Sequence, residues 1–370
     1  MPAISETRIG VALDMRGCPN RCRHCWLGVG TRRSLSEQDL RWTAEQFRRA
    51  VQHGRSTTQP LTVYSWFREP DYADDYRRLH ELEGELSDGK PERFELLSIW
   101  RLARDPSYAA WARSAGPDTC QISFFGMEAT TDWFYRRRGA FRDALTATER
   151  LLEVGMKPRW QLFLTTKLIP ELADLLRLID RLRLRERVAA LGGEFQLFMH
   201  TPGPDGEGRR IEHLRPTVDQ VQSLPAEVIE SSRKHFGRDT LWHTEADLVS
   251  QILSQRSWAP EAPPILCFFV LDNWDVHPNV GTLEPWWRLG NLKQEPVKMI
   301  VGRFERDETL GLQTLYHYPA GKLAQEYGDP AGQKIYSGLE DILMLYLARH
   351  CERMWKAGAS SSFSSSSWSE

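Results

Sequence analysis

Short apolar runs alternate with amphipathic stretches over the first 200 residues of the chain. RIGVAL, LTVYSW (61–66), ERFELLSI (92–99), TCQISFF (119–125), RWQLFLT (159–165) and GEFQLFM (193–199) are each rich in β-branched or aromatic residues. Each is too short for a helix and predicts a buried strand. Between them the apolar spacing changes to three and four. Leu40, Ala44, Phe47 and Val51 recur at helical spacing behind Ser36, a residue type suited to the N-cap. Phe141, Ala144, Leu145, Thr148, Leu151 and Leu152 share a face of a second helix, which Gly155 stops. Leu172, Leu175, Leu176, Ile179 and Leu182 mark a third. Six strands alternating with helices predict an α/β fold with a parallel sheet. Periodicity leaves an open doubly wound sheet and a partial barrel both available. In either, the functional loops follow the C-terminal ends of the strands.

The pattern changes near residue 204. PDGEGRRIEHLRPT is polar and turn-rich, and it leads into helical stretches near 217–235 and 244–254. CFFVLDNWDVHPNVG (267–281) predicts a strand–turn–strand unit with Asp272 and Asn273 near the turn. GNL at 290–292 breaks the chain before further helix, including an amphipathic stretch near 338–356. This division predicts a core over 1–205, a smaller α+β domain over 206–357 and a serine-rich tail over 358–370 whose low complexity predicts disorder.

Charge narrows the function classes. The 48 basic and 50 acidic side chains leave a formal charge of -2, which favours neither nucleic acid nor an anionic membrane as partner. No uncharged apolar run reaches the length of a membrane span, and the N-terminus does not read as a secretion signal, so a cytoplasmic protein is expected. The 6 cysteines then carry the candidate chemistry. Cys120, Cys267 and Cys351 are scattered and read as small buried side chains. Cys18, Cys22 and Cys25 crowd into one loop directly after the first strand, at C-x3-C-x2-C spacing. Three thiolates on one loop can grip three corners of a four-iron cluster and leave the fourth iron for a small molecule. Arg16, Arg21 and Arg23 would offset the negative charge. Zinc is the competing metal, with His24 or a remote cysteine as fourth ligand, and plain packing of cysteines is the third possibility.

The trio after a first strand resembles the signature of the radical S-adenosylmethionine superfamily, and further matches run through roughly residues 8–205. Trp66-Phe67-Arg68-Glu69-Pro70 resembles that family's G-G-E-P stretch, with both glycines replaced. The resemblance implies that Glu69 contacts the amino group of S-adenosylmethionine. Ile122-Ser123-Phe124-Phe125-Gly126 resembles I-S-x-D-G with Phe125 in place of the aspartate, which puts Ser123 near the ribose. Arg136-Arg137-Arg138-Gly139-Ala140-Phe141 resembles R-x-x-G-[ST]-F, so Arg136 by count, or else Arg138, would grip the cofactor carboxylate. His24 stands where the family often has an aromatic residue and is a further cofactor-side candidate. The segment from Cys267 through Trp274-Asp275-Val276-His277-Pro278-Asn279 to Leu289-Gly290-Asn291-Leu292 resembles a degenerate SPASM or twitch extension, with Asn279 in place of a cluster-binding cysteine.

The resemblance implies a partial (β/α)6 TIM-like barrel, one [4Fe-4S] cluster, S-adenosylmethionine, and an external one-electron reductant of the flavodoxin or ferredoxin type. The substrate would be a small molecule or a peptide, in natural-product or peptide modification, with neither nucleic acid nor membrane as partner. The reaction class (oxidoreductase, transferase or isomerase) stays open. His200, Tyr64, Trp66 and Trp100, with Arg101, lie at expected strand ends and are substrate-facing candidates, each equally an ordinary packed residue. Asp71, Asp74 and Asp75 read as a solvated helix start, and Pro202–Gly206 as either an adenine contact or a plain turn. Trp274, Trp286 and Trp287 read as core, or else as the lining of a pocket. The alternative in a different class is a non-catalytic metal protein, either a zinc-stabilised interaction module or an iron–sulfur electron carrier.

Overall fold

The computed structural model describes residues 8–13, 17–28, 34–52, 60–64, 68–89, 95–254 and 265–364. Its strands are β1 (Arg8–Leu13), β2 (Leu61–Tyr64), β3 (Thr119–Phe124), β4 (Lys157–Phe163), β5 (Leu197–His200), β6 (His243–Thr244), β7 (Ile265–Val270), β8 (Asp275–Pro278), β9 (Gly290–Asn291) and β10 (Ile335–Tyr336). They form a mixed α/β fold of three sheets, ordered β2-β1-β7-β8-β9, β3-β4-β5 and β10-β6. β1 runs parallel to β2 and β7, and β3, β4 and β5 run parallel to one another. Among the described residues no sheet closes on itself.

The helical periods fold as expected. Ser36 caps the helix Glu37–Gln52, its hydroxyl accepting from the Asp39 N–H at 3.2 Å, and Leu40, Ala44 and Phe47 are buried beneath it. The helix Ala140–Glu153 buries Phe141, Ala144, Thr148 and Leu151. The helix Leu172–Arg181 buries Leu172, Leu175, Leu178 and Ile179. Among the described residues no helix is long and apolar enough to cross a membrane.

One expected strand does not form. Of ERFELLSI (92–99), residues 92–94 lie outside the described residues, residues 95–98 belong to no strand, and Ile99 opens the helix Ile99–Leu102. The reason is Ser98, whose hydroxyl accepts from the Arg101 N–H at 3.1 Å and starts a helix where β-propensity alone predicts extension. The segment still lies beside β3, because Gln121 N–H donates to the Glu95 carbonyl at 2.8 Å.

The predicted strand–turn–strand unit is β7 and β8, an antiparallel pair. β7 pairs along all of β1, from Arg8 opposite Ile265 to Leu13 opposite Val270. Alternation on β1 then divides the interior. Ile9, Val11 and Leu13 join one core with Phe47, Phe268, Val270, Phe304, Leu312 and Tyr346, whereas Ala12 faces Tyr64, Leu27, Cys267 and Phe269. In the β3-β4-β5 sheet, Cys120, Ile122, Phe124, Trp160 and Leu162 are buried against helices. The opposite face is half-buried and polar, with Gln121, Ser123, Arg159 and Gln161.

Candidate metal and cofactor site

The cysteine trio occupies an irregular loop beyond β1, so its backbone has to be held from outside. Arg21 N–H donates to the Tyr135 carbonyl at 3.2 Å and Arg23 N–H to the Phe134 carbonyl at 2.8 Å. The Arg23 side chain adds a bond to the Trp133 carbonyl at 3.1 Å and lies over its indole. On the other flank the Glu207 N–H donates to the Cys25 carbonyl at 3.0 Å. Arg68 donates to the carbonyls of Leu27 and Gly28 at 2.9 and 2.8 Å. Inside the loop, Asn20 N–H donates to Cys18 Sγ at 3.4 Å, and buried Asn20 accepts from Arg137 Nε at 2.6 Å.

Burial pushes the Cys18 and Cys22 thiols well above their ordinary pKa, and Glu69 and the other cysteines push in the same direction. Cys25 is raised by burial as well. The three thiols and Glu69 are each half-buried. Among the described residues no three Cys, His, Asp or Glu side chains converge closely enough to hold a single metal ion.

Glu69 is the carboxylate of this neighbourhood. Its Oε2 accepts from Cys18 Sγ at 3.7 Å, and its Oε1 accepts from Ser98 Oγ at 2.9 Å and Trp100 N–H at 3.5 Å. Burial raises its pKa against those hydrogen bonds. The turn behind it is clamped by buried Arg101, which donates to the carbonyls of Asp71, Tyr72 and Ala73 at 2.7, 2.7 and 2.8 Å. Arg101 is thus occupied in holding backbone. Asp71 corrects the expectation of a solvated helix start: it is buried, has φ 54°, and accepts from Tyr108 Oη at 2.5 Å. Asp74 and Asp75 meet the expectation: both are exposed directly before the helix Tyr76–Leu86, Asp75 stands at its N-cap, and the Asp74 carboxylate also pairs with Arg101 at 3.3 Å.

The arginine run is sorted by its backbone. Arg136 ends the helix Glu128–Tyr135 in the left-handed conformation, φ 50°, and pairs at 3.3 Å with Glu207. Arg138 is exposed. Arg137, which counting along the motif did not select, turns inward between Asn20 and Asp143 Oδ2, the latter at 2.5 Å. Its charge lowers the pKa of both Cys22 and Glu69. Ser123 Oγ donates to Gln161 Oε1 at 3.3 Å, and its carbonyl accepts from Tyr135 Oη at 3.2 Å. Burial, then Cys22 and Glu69, push the Tyr135 phenol well above its usual range, which puts this second unselected residue beside the loop.

His24 packs into aromatic rings, with centroids 4.5 Å from Phe125 and 4.6 Å from Phe163. Burial lowers its pKa to about 3, and Nδ1 is buried without a hydrogen-bond partner. Phe125 lies stacked between Phe134 at 4.5 Å and Phe163 at 4.7 Å. The position where the resembled motif has a carboxylate is here part of an apolar stack.

The remaining candidates are dispersed. Tyr64 is buried against Ala12, Leu27, Cys267 and Phe269. Trp66 lies outside the described residues. Trp100 reaches Glu69 through its backbone, while its ring meets Tyr72 at 5.1 Å. His200 ends β5 at a cavity of about 440 Å³ shared with Asp205, Arg238 and Asp341. In the run Pro202–Gly206, Gly206 packs against the Cys25 and Trp26 backbone. Cys120, Cys267 and Cys351 are buried in three different packed groups. Asn279 closes the β7–β8 hairpin, accepting from Cys267 N–H at 3.0 Å and donating to the Ile265 carbonyl at 2.9 Å.

No protein-family model matches the sequence, and no curated protein does. Solved structures do. The chain is similar to hexahistidine-tagged anSMEcpe with bound AdoMet, at 12% identity over 95% of this chain and 96% of that one, with a TM-score of 0.51. The chain shares the fold of that AdoMet-bound protein. It is also similar to native anSMEcpe with bound AdoMet and Cp18Cys peptide, at 12% identity, 95% and 99% coverage and a TM-score of 0.49. Streptococcus suis SuiB bound to precursor peptide SuiA matches at 11% identity, 85% and 66% coverage and a TM-score of 0.37.

The donor set suits a thiolate-bound metal group. Three half-buried thiols on one loop are donors that a metal's positive charge would deprotonate and bind.

Proposed function

We propose that the chain is a radical S-adenosylmethionine enzyme. Cys18, Cys22 and Cys25 would hold one [4Fe-4S] cluster, and its remaining iron would take the amino and carboxylate groups of S-adenosylmethionine. The reading is carried by one observation: the half-buried cysteine loop brings Cys18 Sγ within 3.7 Å of the Glu69 carboxylate. The shared fold supports it. When bound, such a cluster supplies the electron that splits S-adenosylmethionine into methionine and a 5′-deoxyadenosyl radical, which takes a hydrogen atom from the substrate.

The chain's own residues position and shield. Glu69 accepts from the cofactor ammonium, with Ser98 and the Trp100 N–H fixing its other oxygen. Arg137 supplies positive charge beside Cys22 and orients the loop through Asn20. Its inward placement favours it over Arg136 and Arg138 as the cation of the site. Ser123 lies toward the ribose, and the stack of His24, Phe125 and Phe163 excludes water beside the loop. The fold would be a partial barrel over 1–205, with the segment 95–98 beside β3 in place of one of the six expected strands, extended by a SPASM- or twitch-like domain over 206–357. The expected disordered serine-rich tail over 358–370 is corrected as far as Ser364, where the helix Leu339–Ser364 ends. The substrate is a small molecule or a peptide, and the electron comes from an external carrier.

Anaerobic reconstitution with iron and sulfide tests the reading. A brown protein holding ~4 iron per chain that releases 5′-deoxyadenosine from S-adenosylmethionine on reduction upholds it, with Cys18→Ala, Cys22→Ala and Cys25→Ala each abolishing both. A colourless protein with one bound zinc, or a stable cluster that never cleaves S-adenosylmethionine, sinks it in favour of a structural or electron-carrying role.

A further inference from the structure

Glu69 lies between two segments that are distant in sequence, and one buried hydroxyl ties those segments together. The first is the turn that follows Glu69. Its Tyr72 N–H donates to the Glu69 carbonyl at 3.4 Å, and Asp71 within it holds φ 54°. The second carries Ser98, whose Oγ donates to Glu69 Oε1 at 2.9 Å and accepts from the Arg101 N–H at 3.1 Å. Tyr108 reaches both. Its Oη donates to Asp71 Oδ2 at 2.5 Å and accepts from the Ser98 N–H at 3.3 Å. Its ring is fully buried, edge-on to Tyr76 at 5.2 Å and stacked with Trp111 at 5.6 Å, so the hydroxyl is held at a fixed point. Arg101 closes the circuit from the Ser98 side by donating to the Asp71 carbonyl at 2.7 Å. The backbone that carries the Glu69 carboxylate and the hydroxyl that orients it are therefore aligned through a single atom.

We propose that Tyr108 is a positioning residue for S-adenosylmethionine, an inference that rests on the function proposed above. Through Asp71 and Ser98 its hydroxyl sets where the Glu69 carboxylate stands to accept from the cofactor ammonium. A charge-assisted hydrogen bond depends on aim, and a binding group is aimed only as well as its supports are fixed. Tyr108 acts through Glu69, so its contribution to cofactor affinity disappears once residue 69 no longer carries the carboxylate. Ordinary packing gives a different expectation. A buried hydroxyl that only stabilises the fold contributes equally with glutamate or glutamine at residue 69.

Equilibrium dialysis of S-adenosylmethionine against the reconstituted protein tests this without turnover. Wild type, Tyr108→Phe, Glu69→Gln and the double variant form the cycle. Tyr108→Phe should bind S-adenosylmethionine about fivefold more weakly than wild type, with iron content unchanged. Added to Glu69→Gln, the same substitution should change affinity by less than about twofold. Tyr346→Phe is the matched control, because its hydroxyl is also buried and donates to a carboxylate, Glu245 Oε1 at 2.8 Å, in a different packed group. It should lower the urea midpoint as Tyr108→Phe does and leave the affinity unchanged. A wild-type affinity in Tyr108→Phe overturns the proposal, as does equal weakening in both backgrounds or by both Tyr→Phe variants, which would mean that the hydroxyl serves the fold alone. If Tyr108→Phe does not fold, Asp71→Gly removes the acceptor while tolerating the positive φ, and should weaken binding to the same degree. Asp71→Asn keeps an acceptor and tolerates that φ, so it should bind as wild type does. Equal affinities for these two also overturn the proposal. A wild type that binds no S-adenosylmethionine removes the proposed function and this inference with it, whereas binding with an additive cycle removes this inference alone.

Discussion

Gly206→Ala disturbs the cysteine loop without touching a cysteine. Gly206 has φ +55°, and a Cβ at this position would lie 2.5 Å from the Trp26 carbonyl oxygen, 2.7 Å from Trp26 Cα and 2.8 Å from the Cys25 carbonyl oxygen. All three are backbone atoms, so no side chain can rotate out of the way. The left-handed conformation costs an alanine about 1 kcal/mol, and forcing packed backbone apart adds about 1–3 kcal/mol. The Cys25 carbonyl also accepts from Gly28 at 3.2 Å and Glu207 at 3.0 Å, and displacing it weakens both bonds. Together these come to about 3–5 kcal/mol, a large share of the roughly 5–15 kcal/mol that holds a domain folded. Gly155→Ala is the matched control, because Gly155 has φ +74° but no atom within 4 Å of the added Cβ. It should lose about 1 kcal/mol, the conformational part alone. Urea denaturation of both variants measures the difference, and iron retained after anaerobic reconstitution should fall only for Gly206→Ala. Equal destabilisation of the two would refute the close packing of residue 206 on the loop.

Other substitutions test other parts of the site. Glu69→Gln should weaken S-adenosylmethionine binding about tenfold or more, the worth of one charge-assisted hydrogen bond, with iron content unchanged; equilibrium dialysis giving an unaltered affinity would remove Glu69 from the cofactor site. Arg137→Ala should cost about 1–3 kcal/mol by leaving the buried Asn20 Oδ1 without its partner, Asp143 keeping Arg104, whereas Arg136→Ala leaves Glu207 paired with Arg210 and should cost under about 1 kcal/mol; the reverse order in denaturation would show the arginines misassigned. Asn279→Ala leaves the Cys267 N–H and the Ile265 carbonyl without their side-chain partner and should lose about 2 kcal/mol, read as a lowered urea midpoint. Burial holds buried His277 at about 4, below its ordinary 6.5. As pH falls from about 6.5 towards 4 the unfolded chain takes up a proton the folded one refuses, so stability drops over that window by up to about 3 kcal/mol and is fully present above it. His277→Gln should flatten that part of the pH profile, and an unchanged slope would exclude His277 as its source.

The helices were legible because each buries one face and its caps are local: Ser36 and the Phe141–Leu151 stripe need no knowledge of the rest of the chain. The β7–β8 hairpin was legible for the same reason. What the pattern could not carry was long-range choice. ERFELLSI has the composition of a strand, but a hydroxyl at Ser98 diverts it into a helix, and that hydroxyl also supports Glu69. Asp71 looked solvated because its neighbours are charged, but Arg101 and, from a later helix, Tyr108 both bond to it. β7 joins β1 across more than half the length of the chain, a pairing no local period encodes. That the three cysteines share one loop was legible from their spacing. The selection of Arg137 from three consecutive arginines was not, because it depends on the left-handed turn at Arg136 that rotates successive side chains apart.

This division has a chemical consequence. A loop without regular structure positions its ligands only as well as its anchors are placed, and the anchors here come from distant segments: Arg68, the end of the Glu128–Tyr135 helix, Arg137, and Gly206–Glu207. Each grips backbone or Asn20 and leaves the thiols themselves available. Under the proposed function, the cysteine spacing names the atoms that would bind, while their geometry is set by folding of the surrounding chain. Substitutions at these anchors should accordingly lower metal retention and global stability together, whereas cysteine substitutions should abolish the first far more than the second.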